Sequence, residues 1–296
     1  DDAATPVTVT VAAEGHYIDA AYAVLPGEAV TITLQAHYTT DNFEYGWSEA
    51  DGLRGSETCA VCHTEAMMQE WEQDAHGQAA VNPRFLTLYQ GTDVHGNKSP
   101  KTKTDFKGNV LPHDPGVTYY GPGFKLDYPD RAGNCASCHT PAAAKLENTT
   151  NCGWSGCHTS FTAEHAIEVP HGVSPLYLDG PAAEGISCEF CHKIGDVILD
   201  EETQLPLPDM PGILSYRLYR PNKGEDIFFG TLDDTPGDDV YLPLMAESEF
   251  CAGCHYGVFG GVVGVGEVTG GTLIYNSYGE WLDSPYSDAE TGQTCQ

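Results

Sequence analysis

Basic residues are scarce in this sequence. Thirteen Lys and Arg stand against 43 Asp and Glu, which gives a formal net charge of −30. Nucleic acids and anionic lipid surfaces are bound through clustered positive charge, so this balance argues against both as partners. Long apolar runs are absent as well, and no stretch of about 18 consecutive apolar residues is present to form a transmembrane helix. We therefore expect no nucleic-acid partner and no membrane span.

Cysteine and histidine, by contrast, are abundant, with 11 Cys and 12 His. Ten of the cysteines form five pairs, and a histidine directly follows each pair. The five groups are Cys59, Cys62 and His63; Cys135, Cys138 and His139; Cys152, Cys157 and His158; Cys188, Cys191 and His192; and Cys251, Cys254 and His255. Two residues separate the cysteines in four groups, and four residues separate them in the third. Since composition alone predicts only about 0.02 Cys-x-x-Cys-His motifs in such a chain, the pattern carries specific chemistry.

A thiol pair followed by histidine is typical of the attachment site of a c-type haem. The two cysteines add to the two vinyl groups of one porphyrin, and the adjacent histidine binds the iron as the proximal ligand. Disulfides would explain the cysteines but not the histidines. Tetrahedral zinc needs two Cys-x-x-Cys knuckles per ion and no adjacent histidine, and thioredoxin-like motifs occur once per domain. The third group is the weakest, because Cys152 could instead pair with Cys295. We predict five haem c groups, one on each motif.

Each iron needs a second axial ligand or an open position. Seven histidines lie outside the motifs, which is enough for five haems: His16, His37, His76, His95, His113, His165 and His171. Methionine, the other usual ligand, occurs only four times, which favours two histidines on each iron. Among the seven, we favour His76, His113, His165 and His171 as ligands.

The segment 64–76 (TEAMMQEWEQDAH) predicts a helix, since it contains no Gly or Pro and places Met67 and Trp71 on one face. A continuous helix of this length rises about 20 Å. His76 would then lie too far from His63 to bind the same iron. We therefore expect His76 to bind a neighbouring haem and to tie two haems together.

The N-terminal stretch has a different pattern. Apolar residues, many of them β-branched, alternate with polar residues at 7–11 and again at 30–36, and Pro26-Gly27-Glu28 marks a turn between the two. This alternation predicts half-buried strands. We expect residues 1–50 to form a small β-strand region that packs either on the haem-binding region or on another subunit. His16 and His37 lie near the ends of these strand patterns.

Residues 51–296 are predicted to form one haem-binding domain. Prolines and glycines recur every few residues, so we expect helices only at 64–76, 141–147 and 277–283. A chain of this kind would lack a core by itself, but five porphyrins supply large apolar surfaces. The predicted fold class is a haem-packed, loop-rich chain with a few short α-helices and little regular structure, preceded by a small N-terminal β-sheet region.

Two kinds of charged segment have alternative interpretations. Four of the eight lysines fall within 98–107, either as a solvated loop or as a patch that pairs with haem propionates or docks a partner. The acidic runs at 200–202 and 233–239 are either solvated or a site for Ca²⁺, which prefers clustered oxygen ligands. No EF-hand spacing is present, so Ca²⁺ is the weaker alternative.

Together with their flanking sequences, the motifs resemble multihaem c-type cytochromes, in particular those that assemble into extracellular filaments (nanowires). The resemblance covers residues from about 59 to the end and includes Trp71 to His76, YGPGFKLDYP at 120–129 and YGEWLDSPY at 278–286. In similar proteins the last phrase leads into the motif Cys-Gln-x-Cys-His, whose first two positions match Cys295 and Gln296. The resemblance implies a sixth haem site begun at Cys295. It also implies that a histidine such as His16 or His37 binds a haem of the next subunit.

These observations predict electron transfer through a chain of five or more covalently bound, bis-histidine, low-spin haems, and not enzymatic catalysis. The alternative is a multihaem oxidoreductase that reduces a nitrogen or sulfur oxyanion at a haem with open coordination. A third interpretation is a surface scaffold that stores electrons. Thioether attachment takes place outside the cytoplasm, so we expect an extracellular or cell-surface location, with the periplasm as the alternative. Expected partners are other electron-transfer proteins and further copies of the chain, bound through haem or N-terminal sheet contacts.

Overall fold

The computed structural model describes residues 5–42, 45–47, 49–50, 53–107, 109–129, 135–143, 176, 180–207, 210, 212–259, 262–264, 267–269 and 272–295. The chain divides into two units. The terminal unit comprises residues 1–46, 188–262 and 266–296, and the middle unit comprises residues 47–187 and 263–265. The terminal unit is therefore built from both ends of the chain.

Helices in the described residues are short. The α-helices are Glu65–Gln73, Pro83–Gln90, Phe124–Asp127, Ala136–His139, Cys188–His192, Ala252–His255 and Ser277–Leu282. The 3₁₀ helices are Gly55–Val61, Pro141–Ala143, Gly180–Ala183, Gly212–Ser215, Pro243–Ala246, Ser248–Cys251 and Pro285–Ser287. None of the helices in the described part is both long and apolar enough to cross a membrane.

The strands form two-stranded sheets. Val7–Val11 pairs antiparallel with Asp19–Val24, Glu49–Ala50 with Leu53–Arg54, Ile194–Val197 with Tyr216–Leu218, and Gly257–Phe259 with Thr272–Tyr275. Phe228–Gly230 pairs parallel with Asp239–Tyr241. The remaining strands are Val262–Gly264 and Glu267–Thr269. Short helices, small sheets and long loops confirm the coarse prediction of a loop-rich fold with little regular structure.

The core of the terminal unit surrounds the parallel strand pair. Ile227, Phe229 and Val240 are buried together there. The N-terminal segment packs on this core, because Tyr17 forms a β-bridge with Val240 and the Ile18 amide donates to the Asp239 carbonyl at 2.9 Å. A small apolar cluster thus holds Tyr17, Ile18 and Tyr38 against the segment that follows the fourth cysteine motif.

The middle unit is held by contacts between residues far apart in sequence. The Glu184 carboxylate accepts hydrogen bonds from the Ser56 amide and hydroxyl at 3.0 and 2.9 Å. The Trp71 indole donates to the Ile186 carbonyl at 2.8 Å. These bonds fix the helix that follows the first motif against the segment that precedes Cys188 in the chain.

The strand prediction for 7–11 is confirmed, but the prediction for 30–36 is wrong. Residues 25–35 contain no strand, and Ala36 makes only an isolated bridge with His16. Gly15, with φ of +78°, lets the chain turn back soon after Val7–Val11, so Asp19–Val24 reaches that strand first. The turn at Pro26–Gly27 is present.

The helix predictions are partly confirmed. The helix expected at 64–76 begins after Thr64, whose hydroxyl caps it by accepting from the Met67 amide, but it ends at Gln73. The Asp74 amide bonds to the Trp71 carbonyl, which closes the last turn early. At 277–283 the helix Ser277–Leu282 is present. At 141–147 only the turn Pro141–Ala143 is described, and 144–147 lie outside the described residues.

Candidate haem sites

The described cysteine motifs fold as single helical turns. The His63 amide donates to the Cys59 carbonyl at 2.8 Å, and the His139 amide donates to the Cys135 carbonyl at 3.0 Å. The other two motifs, Cys188 to His192 and Cys251 to His255, also fold into short helical turns. In such a turn, residues three and four apart share one face, so both thiols and the histidine of each motif are arranged for one ligand. The third motif, Cys152 to His158, lies outside the described residues.

Two motif histidines are fixed by backbone carbonyls. His139 Nδ1 lies 2.8 Å from the Ala79 carbonyl oxygen, and His192 Nδ1 lies 2.6 Å from that of Phe229. A carbonyl only accepts hydrogen bonds, so Nδ1 must carry the proton in each ring. In the neutral ring, Nε2 then keeps its lone pair, as a metal-binding imidazole requires. The side chains therefore fit an axial role on haem iron.

The surroundings of His139 favour its neutral form. Burial lowers the pKa of the ring, and the hydrogen bond to Ala79 opposes this effect only in part. The Phe85 ring stacks on His139 with centroids 3.6 Å apart and planes 7° apart. This stack and the carbonyl bond together fix the direction in which Nε2 points.

The thiols lie in apolar surroundings. Burial raises the pKa of Cys135 to about 12, with a smaller contribution from Cys138. Burial likewise raises the pKa of Cys191 to about 12. Nucleophilic catalysis and zinc binding use the thiolate, which such surroundings disfavour. A thioether has no charge to desolvate, so these sites suit covalent haem attachment better than metal coordination through sulfur.

Cysteines of different motifs meet in the terminal unit. Burial is the main cause that raises the pKa of Cys191, and the Cys188 and Cys251 thiols raise it further. Burial is also the main cause for Cys251, whose pKa the Cys295 thiol raises further. Cys295 hydrogen-bonds Cys251, and its amide donates to the Ser248 hydroxyl at 2.9 Å. The fourth and fifth motifs and the expected start of a sixth are thus neighbours. Cys152, the alternative partner of Cys295, lies outside the described residues.

The structure brings His37 to the strand that holds His192. The His37 ring lies 5.4 Å from the Phe229 ring and 5.6 Å from the Tyr219 ring, measured between centroids. Its Nδ1 lies 2.7 Å from the Tyr38 carbonyl oxygen, so Nδ1 carries the proton here as well. His37 therefore has the tautomer of an iron ligand. Both His37 and the motif histidine His192 contact Phe229, in the strand Phe228–Gly230.

His76 lies beyond its helix, in a turn. Its carbonyl accepts from the Ala79 amide at 3.1 Å and from the Ile186 amide at 2.9 Å. Its Nδ1 lies 3.4 Å from the Asp74 carboxylate. The prediction of one continuous helix from 64 to 76 is wrong, because the helix ends at Gln73 and His76 lies after it. The contact with Ile186 places His76 beside the chain segment that leads into the fourth motif.

The other predicted distal histidines in the described part, His16, His95 and His113, lie outside the helices and the paired strands. His16 Nδ1 lies 3.0 Å from the Glu14 carbonyl oxygen in the turn after the first strand. His95 is exposed in a turn that begins at Asp93, and His113 stacks on Tyr119 with centroids 5.0 Å apart. His165 and His171 lie outside the described residues, so their predicted roles remain predictions.

A buried lysine beside the fourth motif was not predicted. Lys193 directly follows His192 and is fully buried. Its Nζ donates to the Ile227 carbonyl at 2.5 Å, lies 3.3 Å from the Asp226 carboxylate and lies 3.6 Å from the centre of the Phe228 ring. The position directly after a cysteine motif was its only signal in the sequence.

Oxygen ligands for a cation do not gather in the described part. Among the residues described, no group of three His, Cys, Asp or Glu side chains is arranged to hold a metal ion. Asp200, from the first acidic run, accepts hydrogen bonds from the Glu202 and Thr203 amides of its own turn. The Ca²⁺ alternative stays a prediction without a described site.

Comparison with known proteins adds no relative. No protein family, curated protein or solved structure matches this chain. The interpretation of the site therefore rests on the chemistry of its own residues.

Proposed function

We propose that the protein transfers electrons through covalently bound c-type haems. The observation that carries this proposal is the tautomer of the motif histidines. His139 and His192 follow cysteine pairs on helical turns, and their Nδ1 atoms donate to backbone carbonyls, which leaves Nε2 as the donor to iron. Each haem would supply one iron that gains and loses a single electron. The resemblance to multihaem cytochromes supports the same assignment.

The residues of the chain would hold, orient and shield these groups. The two cysteines of each motif would attach a haem through thioether bonds, and the motif histidine would bind its iron. His37, against Phe229, and His76, beside Ile186, are proposed to close the second face of irons in the chain. The proximity of Cys191, Cys251 and Cys295 supports closely spaced haems in the terminal unit. Close spacing and closed coordination favour passage of electrons over binding of substrates.

We further propose an extracellular or cell-surface electron conduit that self-associates. The resemblance to filament-forming cytochromes supports this, as does the need for thioether attachment outside the cytoplasm. His16, in a turn at the end of the first strand, is the proposed ligand to a haem of an adjoining copy. A net charge of −30 opposes non-specific aggregation, so copies would associate only through specific contacts.

Mass spectrometry and spectroscopy of the holoprotein test the proposal. The full chain, produced in a host that attaches haem c, is expected to carry at least five haem masses and to show low-spin spectra that carbon monoxide leaves unchanged. The double variant Cys135→Ser/Cys138→Ser is expected to carry one haem fewer. A chain without added haem would overturn the proposal. Rapid binding of carbon monoxide or cyanide to one haem would instead support the oxidoreductase alternative.

A further inference from the structure

Two matching turns project from the middle unit. In the first, Asp93 Oδ1 accepts from the amides of His95 and Asn97, each at 2.9 Å, and Oδ2 accepts from the Asn97 side chain at 2.8 Å. Twelve residues later, the Asp105 carboxylate accepts from the Lys107 and Asn109 amides and from the Asn109 side chain at 2.8 to 2.9 Å. Antiparallel bridges Thr92–Lys98 and Thr104–Val110 close the two turns. We call residues 92–119, which contain both turns, the basic ribbon.

The basic ribbon exposes apolar and basic side chains together. Phe106, at the tip of the second turn, is 94% exposed, and Val94 and Val110 are 72% and 71% exposed. The ribbon's four lysines are also exposed: Lys98, Lys101, Lys103 and Lys107. A groove of about 430 Å³ beside the second turn has a lining that includes Lys101, Lys103, Leu111, His113, Asp114 and Tyr119. Asp93, Asp105 and Asp114 keep their negative charges, but the stretch 98–107 holds four lysines against Asp105 alone, so its formal charge is +3.

The terminal unit carries a surface of opposite character. A groove of about 950 Å³, which we call the acidic groove, is lined by Tyr17, Tyr38, Asp19, Glu225, Asp226 and Asp238. Four of the eleven residues that line the groove are carboxylic acids, and one of them, Asp226, pairs with Lys193. The acidic groove includes part of the N-terminal region, for which another subunit is one of the two predicted packing partners.

We propose that the basic ribbon of one copy docks in the acidic groove of a second copy. Two proteins of charge −30 repel each other unless a positive surface of one meets a negative surface of the other. The ribbon supplies that positive surface, with Phe106 as an apolar anchor and the two tyrosines as its counterpart. Because the two surfaces differ, the contact is head-to-tail and leaves a free ribbon and a free groove at the ends of every open assembly. This inference rests on the self-association within the proposed function, and it names the surfaces.

Charge reversal of either surface tests the contact. The ribbon variant is Lys101→Glu/Lys103→Glu/Lys107→Glu, and the groove variant is Asp19→Lys/Glu225→Lys/Asp238→Lys. Holoprotein assembly is measured by sedimentation velocity at low and high salt. Wild type is expected to assemble at low salt and to dissociate at high salt, and each variant to bind its own kind at least about tenfold more weakly. An equal mixture of the two variants is expected to assemble again, because the reversed ribbon of one fits the reversed groove of the other.

Control variants separate a specific contact from a general effect of charge. Arg84→Glu adds negative charge on an exposed helix position of the middle unit, and Glu201→Lys/Glu202→Lys/Glu290→Lys adds the same positive charge as the groove variant at exposed sites. Both are expected to assemble like wild type. Assembly of the two reversed variants alone, failure of their mixture, or a monomeric wild type would each overturn the proposal.

The haem count and visible spectra of every variant are measured in parallel. Altered spectra in the ribbon variant would show that its lysines pair with haem propionates, and would also overturn the docking proposal. If the reversed-charge variants keep both their haem content and their assembly, the docking proposal is wrong and the electron-transfer proposal is unaffected. The two proposals therefore fail separately.

Discussion

Replacement of Arg220 by methionine offers a sharp test of how the terminal unit positions its haem ligands. Arg220 is 1% exposed, and its Nε and Nη2 atoms donate to the two oxygens of the Asp41 carboxylate at 2.8 and 2.7 Å. Its amide donates to the same carboxylate at 3.0 Å, and its carbonyl accepts from the Asn42 amide. These bonds fasten the segment just after His37 to the strand region that ends near Tyr219.

The expected loss in the free energy of unfolding depends on how exposed Asp41, the partner of Arg220, is. Removal of one member of a buried ion pair costs about 3–5 kcal/mol because the other charge stays buried. Asp41 is 16% exposed, so water partly solvates it, and we expect a loss near the lower limit, about 3 kcal/mol. The matched control is Arg217→Met. Arg217 pairs with Asp196 at 3.2 Å, but both side chains are more than half exposed, so less than about 1 kcal/mol is expected.

The measurement is guanidinium unfolding of the holoproteins, followed by circular dichroism and haem absorbance. Arg220→Met is also expected to change the spectrum of one haem, because it frees the segment that holds His37 against Phe229. Arg217→Met leaves that contact in place and is expected to leave all haem spectra unchanged. Equal losses of stability in the two variants would refute the reasoning. Stability lost without any spectral change would refute the proposed role of His37.

Three further outcomes are expected. Lys193→Met is expected to lower the reduction potential of one haem, because a buried cation favours the ferrous state, and Asp226→Asn is expected to raise that potential. Both potentials are measured by spectroelectrochemical titration. If the pair had only a structural role, the two variants would shift the potential in the same direction. His139→Ala is expected to open one iron, so that reduced protein binds about one carbon monoxide, whereas wild type binds none. Trp71→Phe leaves the Ile186 carbonyl without its indole donor and is expected to cost about 1–3 kcal/mol, measured by chemical unfolding; an unchanged midpoint would contradict this.

Local chemistry in the sequence predicted the parts of the site that depend on neighbouring residues. Each described cysteine motif forms the helical turn that its spacing requires, and the helix Ser277–Leu282 lies where it was expected. The helix after Thr64 begins as predicted, since its cap is set by adjacent residues. Its end at Gln73 was not predictable, because the next glycine or proline in the sequence is Gly77.

Long-range pairing was not readable from the sequence. The strands Ile194–Val197 and Tyr216–Leu218 are too short for a clear alternating pattern, and a long loop separates them. The segment 30–36 has the clearer alternation of apolar and polar residues, but the first strand pairs with Asp19–Val24 instead, because that segment lies nearer to it in the chain. The carbonyls that fix His139 and His192 come from Ala79 and Phe229, so only the folded chain shows them.

The terminal unit also sets an order of events during synthesis. Tyr17 donates to the carbonyl of Asp226, a residue 209 positions later in the chain, and Ile18 bonds to Asp239. Tyr17 and Ile18 must therefore wait, without their packing partners, until the segment 226–239 has emerged. The contacts that hold the middle unit span shorter separations, 115 residues between Trp71 and Ile186 and 128 between Ser56 and Glu184. The segment around Tyr17 is thus expected to reach its packing partners later than Trp71 and Ser56 reach theirs in the middle unit.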